Sequence, residues 1–212
     1  MSNKYNFKIH HRKSIRIKDY NYSAFGYYFI TVCTEKKVEY FGKIIDSKMI
    51  LNIFGKIVAN EWDNTKNIRN NIELDEFIVM PNHIHGIIII RRGVSHTPNA
   101  LSHTPNALSH TPNEVPHTDY DGGVWQYTPT ARKFQSSSNS LGAIIRGFKS
   151  AVTKQIKQEI DKRQINIIFQ WQRNYYERII RSEDELNKIR KYIIENPLKW
   201  ETDKNNTENL FM

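Results

Sequence analysis

The sequence predicts an α+β fold: a ferredoxin-like βαββαβ antiparallel sheet with an added C-terminal helix carrying a tyrosine. Three observations predict it. Aromatic and β-branched runs at residues 27–33, 73–80, 83–90 and 175–180 have strand character. Two stretches, 50–65 and 141–156, repeat apolar residues at helical spacing. A capping box at Ser182 opens one more helix near the C-terminus. In chain order this is strand, helix, strand, strand, helix, strand, helix.

The first strand is Tyr27-Tyr28-Phe29-Ile30-Thr31-Val32-Cys33, and Lys36-Lys37 marks the turn after it. Residues 38–45 continue as extended or hairpin structure. Ile50, Ile53, Phe54, Ile57, Val58 and Trp62 then fall on one helical face, giving a helix over 50–65. Pro81-Asn82 is a turn signal between the strands 73–80 and 83–90, which pair as a hairpin. Ile144, Ile145, Phe148, Ala151, Val152 and Ile156 form the stripe of the second helix. Residues 165–171 are apolar and read as strand or extended. In the last helix Ser182 is the N-cap, Glu185 stands three residues on, and the acids of the first turn suit the helix dipole. Pro197 stops this helix after Asn196.

Three segments lie outside this pattern. Residues 1–20 form a basic N-terminal arm; up to Lys18 it carries Arg12, Lys13 and Arg16 and no acid, so it is either a phosphate-tracking arm or a solvated tail. Residues 93–140 interrupt the single domain of 21–200. There Ser-His-Thr-Pro-Asn-Ala-Leu starts at Ser95, repeats from Ser102 and decays after Ser109. One Leu per seven residues and a Pro in every copy exclude a coiled coil, so the segment reads as a loosely ordered insertion. Its recurring histidines are weak metal ligands at best, and an expansion without chemical role accounts for them. Residues 201–212 read as a polar tail.

The chain of 212 residues is 39% hydrophobic, enough for one core, and carries a net charge of +9. Excess positive charge with many aromatics points to a polyanionic partner, nucleic acid first. The single cysteine, Cys33, excludes an intramolecular disulfide and suits a reducing compartment. There is no apolar leader in the first 18 residues and no apolar run of about 20 residues, so the expectation is a cytoplasmic protein with no membrane partner.

Two motifs carry chemistry. His83-Ile84-His85 on a strand sends both imidazoles from one face, about 7 Å apart at Cα. Such a pair is half of a divalent-metal site, although His-x-His also occurs without metal. On the last helix Tyr192 and Asn196 are an i, i+4 pair on one face. Helix packing and a helix stop are the ordinary roles of such residues. Phosphodiester chemistry gives the set a joint meaning: a metal polarises a phosphate, Tyr192 attacks it and conserves the bond as a phosphotyrosine, and Asn196 offers an amide oxygen to the metal.

Residues 77–86, Phe-Ile-Val-Met-Pro-Asn-His-Ile-His-Gly, resemble the HUH motif of single-tyrosine transposases, specifically the REP-associated tyrosine transposase-like group. Residues 12–20, 141–150 and 171–177 running on through Asn196-Pro197 resemble the same group. The resemblance implies a transposase that cuts and rejoins single-stranded or hairpin DNA, with Mg²⁺ or Mn²⁺ at His83 and His85, a third ligand at Asn196 and the nucleophile at Tyr192. Relatives of that group act as monomers or dimers, so a homodimer is one of two states it allows. Arg12, Lys13, Arg16, Arg146, Lys149 and Arg173 are candidate phosphate contacts. Trp171 and Tyr175, with Tyr176, are candidate base-stacking residues, and core packing is their ordinary alternative. Two other readings stay open: a metal-dependent nuclease that uses water, and a non-catalytic or domesticated DNA-binding protein.

Overall fold

The computed structural model describes residues 17, 20–91, 139–203 and 205–206. Arg12, Lys13 and Arg16, and nearly all of the expected arm and insertion, lie outside the described residues. The elements are β1 (Gly26–Cys33), β2 (Gly42–Ile45), β3 (Lys48–Leu51), α1 (Ile53–Ile68), β4 (Ile72–Val79), β5 (His83–Ile90), α2 (Leu141–Lys162), β6 (Tyr176–Ile180) and α3 (Glu183–Glu195). Four strands form one antiparallel sheet in the order β4-β5-β1-β6, and β2 and β3 form a separate hairpin. Among the described residues the result is a mixed fold of an antiparallel sheet and three α-helices.

Alternation along the strands sorts side chains onto two faces. Tyr28, Ile30 and Val32 of β1 and Ile84, Ile88 and Ile90 of β5 pack with the apolar stripes of α1 and α2. Tyr27 and Phe29 of β1 and Ile87 of β5 pack on the other face with Leu186, Ile189 and Ile193 of α3. The three α3 side chains are almost fully buried; burial of this kind contributes roughly 1.5–3 kcal/mol per residue and fixes the helix on the sheet. Every residue of β5 is buried, as expected of a strand covered on both faces.

Helix starts follow local chemistry. Asn52 caps α1, its side chain accepting from Phe54 N at 2.9 Å and Gly55 N at 3.0 Å. Ser140 caps α2 and Ser182 caps α3, the latter accepting from Glu185 N at 3.2 Å. Gly86 has a packing reason: a Cβ there would stand 2.5 Å from the Trp62 ring, which stacks on Phe77 at 4.6 Å between centroids.

Several elements differ from the sequence expectation. The first helix begins at Ile53, because Ile50 belongs to β3 and is exposed. Residues 165–171 form no strand; their one ladder contact is an isolated bridge between Thr34 and Trp171. β4 carries a bulge: between Leu74 and Phe77 two residues oppose the single Ile87 of β5. The bulge keeps Leu74 and Phe77 on the same apolar face and sends Asp75 to the α3 side, where it meets Arg190. Pro197 does not end the helical path. A 3-10 helix, Asn196–Thr202, continues it with Pro197 in the first turn, where a missing N–H costs nothing.

Candidate active site

His83 and His85 open β5 and project to the α3 face, where the strand meets the last helix. Both are buried, at 0% and 2% exposure. Their Nε2 atoms lie 3.1 Å apart. Each outer nitrogen has a partner: His83 Nδ1 is 2.9 Å from Asn82 Oδ1, and His85 Nδ1 is 2.8 Å from Thr31 Oγ1. Such outer contacts orient imidazoles that share a cation. Phe29 stacks on His85 at 5.4 Å and Trp200 lies 6.0 Å from His83.

Tyr192 comes down from α3 onto this pair. Its hydroxyl is 3.3 Å from His85 Nε2. Burial first, and then the negative charge of Asp203, raise the phenol pKa, while a hydrogen bond from Asn196 lowers it. Tyr192 is 36% exposed and lines a cleft of about 540 Å³ with Phe29, Thr31, His85, Tyr176 and Arg178. Tyr176, at 58% exposure, stands at the same opening.

The chain offers one oxygen donor beside the histidines, Asp203, and a second near Tyr192, Asn196. Asn196 is 1% exposed, and its Oδ1 has no hydrogen-bond partner among the described residues. Asp203 comes from the segment after the 3-10 helix. One ligand atom from each of His83, His85 and Asp203 lie within 4.8 Å of one another. A buried orphan amide oxygen, two converging imidazoles and a carboxylate fit a hard or borderline divalent cation. Sequence reasoning missed Asp203, because residues 201–212 read there as a polar tail. Trp200, Asn205 and Asn206 are all buried. The available signal was Trp200, a large apolar residue that needs a surface to cover it.

The expected DNA contacts divide. Arg146 is exposed on α2, across the sheet from the histidines. Arg173 is exposed, and with Lys149, Lys154, Lys157 and Trp171 it lines a second cleft of about 670 Å³ between α2 and residues 168–173. Lys149 is committed to structure: its ammonium donates to Gln172 O at 2.5 Å and Arg173 O at 3.3 Å, and burial lowers its pKa. Trp171 packs against Phe41 and Phe169, each at 5.3 Å. Tyr175 corrects an expectation. It is 8% exposed within the main core and offers no face to a base. One residue on, the alternation of β6 turns Tyr176 outward instead.

No helix among the described residues is long and apolar enough to cross a membrane. No family model matches the chain. Among solved structures, the fold is similar to that of a REP-associated tyrosine transposase bound to a REP hairpin. The TM-score is 0.50 with 15% identity, over 89% of this chain and 74% of that one, a likeness of fold. An uncharacterized protein of Haemophilus influenzae is 39% identical over 203 residues, covering 96% of this chain and 97% of its own. The chain belongs to the same family as that Haemophilus protein.

Proposed function

We propose that this protein is a REP-associated tyrosine transposase-like enzyme, a metal-assisted transesterase that cleaves and rejoins single-stranded or hairpin DNA through Tyr192. The observation that carries the reading is the convergence of the Tyr192 hydroxyl on the buried His83–His85 pair, with Tyr192 and His85 both lining a cleft. The strand order β4-β5-β1-β6, with α1 and α2 on one face, supports a ferredoxin-like domain to which α3 is added as the tyrosine helix.

In this reading His83 and His85, with Asp203 or Asn196, hold Mg²⁺ or Mn²⁺. When bound there, the cation would supply Lewis-acid polarisation of a phosphate oxygen. Tyr192 supplies the nucleophile. Its oxygen forms a new O–P bond, the P–O bond to the departing deoxyribose breaks, and the released hydroxyl takes up a proton. The phenolic proton leaves to water through the cleft. The phosphotyrosine keeps the energy of the diester, so a second strand's hydroxyl reseals the chain without a nucleotide cofactor. Asn196 holds the phenol from one helical turn away, and Phe29 and Thr31 hold the ring of His85.

DNA is gripped by charge. Lys154, Lys157 and Arg173 line a cleft without a carboxylate, which suits a phosphate backbone. Tyr176, exposed beside the nucleophile, is placed to stack a base next to the scissile phosphate. The experiment is a covalent-adduct gel with labelled hairpin DNA from the gene's own flanks, in Mn²⁺ and in EDTA. A metal-dependent adduct with wild type and none with Tyr192→Phe supports transesterification. Cleavage without adduct indicates a water-using nuclease, and binding without cleavage a non-catalytic DNA-binding protein.

A further inference from the structure

Asn82 sits in the turn between β4 and β5 with a side chain that is fully buried. Its Nδ2 lies 2.9 Å from Lys37 O and 2.7 Å from Asn205 O. A backbone carbonyl only accepts, so both amide protons are committed and the nitrogen end of the side chain is fixed. The oxygen end then faces His83 Nδ1 at 2.9 Å. An amide oxygen also only accepts, so the proton of a neutral His83 belongs on Nδ1. That leaves a bare lone pair on Nε2, the atom 3.1 Å from His85 Nε2. Thr31 imposes no such choice on His85, because a hydroxyl donates or accepts equally well.

The same amide reaches the C-terminal segment. Asn205, whose carbonyl Asn82 holds, donates its own N–H to Asp203 Oδ1 at 2.6 Å. One tight turn therefore carries both the clipped carbonyl and the carboxylate that approaches the histidines. Residues 82 and 205 are far apart in sequence, so no local propensity brings them together.

We propose that Asn82 is a positioning residue with two linked tasks: it holds His83 in its ligating tautomer, and it clips Asn205 so that Asp203 stays at the site. The proposal rests on the metal reading above for its purpose. Its two main readouts use metal-free protein without DNA, so its failure is distinguishable from failure of that reading.

Asn82→Asp and Asn82→Ala separate the tasks. The carboxylate keeps an acceptor for His83 Nδ1 and loses both donors; alanine loses everything. Imidazole nitrogen NMR at about pH 8, above the ordinary histidine pKa, reports the tautomer. Trypsin cleavage after Lys199 reports release of the segment. Wild type should show the Nδ1–H form and slow cleavage. Asn82→Asp should keep the tautomer while cleavage accelerates on the order of tenfold. Asn82→Ala should lose both. An unchanged tautomer in Asn82→Ala, or unchanged cleavage in Asn82→Asp, overturns the corresponding half. If the alanine variant does not fold, a chain ending at residue 204 serves, since it keeps Asp203 and removes the clipped carbonyl. Its Mn²⁺ affinity, by titration with the metal alone, should fall about tenfold or more. An affinity equal to wild type overturns the clip.

Discussion

Arg190 grips both carboxylate oxygens of Asp75, Nε to Oδ1 at 2.9 Å and Nη2 to Oδ2 at 2.5 Å. The bulge in β4 aims Asp75 at α3, and Arg190 stands two residues before Tyr192. This pair fixes the helix that carries the phenol to the sheet that carries the histidines. The bidentate contact holds the Asp75 carboxyl below its usual range. A lowered folded-state pKa contributes stability above the unfolded value, near 3.9, which is lost as pH falls toward the lowered one. Asp75→Asn should cost about 1–2 kcal/mol at neutral pH, the lower end because Arg190 is about one-third exposed. Urea unfolding checks it, and the deficit should shrink as acid protonates Asp75 in the wild type.

Gly86 gives a packing prediction. Gly86→Ala places a methyl against the Trp62 ring, which is itself held by stacking on Phe77. Overpacking should destabilise the fold by about 1–3 kcal/mol. Because Gly86 adjoins His85, Mn²⁺ affinity should fall as well. Calorimetric titration on the folded variant is the measurement.

The two neighbours of Tyr192 act on its acidity in opposite directions. Asn196→Ala removes a hydrogen bond that lowers the phenol pKa, so ionisation should move to higher pH. Asp203→Asn removes a negative charge that raises it, so ionisation should move to lower pH. Ultraviolet titration of metal-free protein, with Tyr192→Phe as the blank, reads both shifts. Equal titration in all three proteins would show that neither neighbour reaches the phenol.

Salt dependence tests the proposed DNA contacts against a structural role. Lys149 donates to two carbonyls, so Lys149→Met should reduce stability and leave the salt slope of single-stranded DNA binding unchanged. Lys154→Gln, Lys157→Gln and Arg173→Gln should each reduce that slope by about 0.7. A slope change for Lys149→Met and none for the others would move the DNA off this cleft.

The legible parts of this protein are those that local chemistry dictates. Aromatic and β-branched runs marked the four sheet strands, Ser182 and Glu185 marked the start of α3, and the strand period placed His83 and His85 on one face. Elements set by distant contacts were not legible. Ile72, Leu74, Phe77 and Val79 contain the parity change of a bulge, but only the pairing with β5 shows which residue is extra. Asp203 and Asn205 have the composition of a solvated tail, and contacts with residues more than a hundred positions earlier draw them in. Pro197 signals a helix stop, yet Trp200 needs cover, and its burial carries the chain on through a tighter helix. Tyr175 and Tyr176 are the same residue type, and only the registration of β6 on β1 says which is outside.

The two ends of β5 have separate fates. Its histidines open the strand, while Ile90 closes it roughly 23 Å away at the usual strand rise. The repeat-bearing stretch is spliced in at that far end, between two pinned joints: Arg91 N on Asn71 O at 2.7 Å, and Leu141 N on Tyr22 O at 2.9 Å. With both joints pinned and the histidines at the opposite end of β5, the closure cost of added length between the joints grows only logarithmically with chain length. For an engineer the span between those joints is therefore the natural place to splice a reporter or an affinity tag.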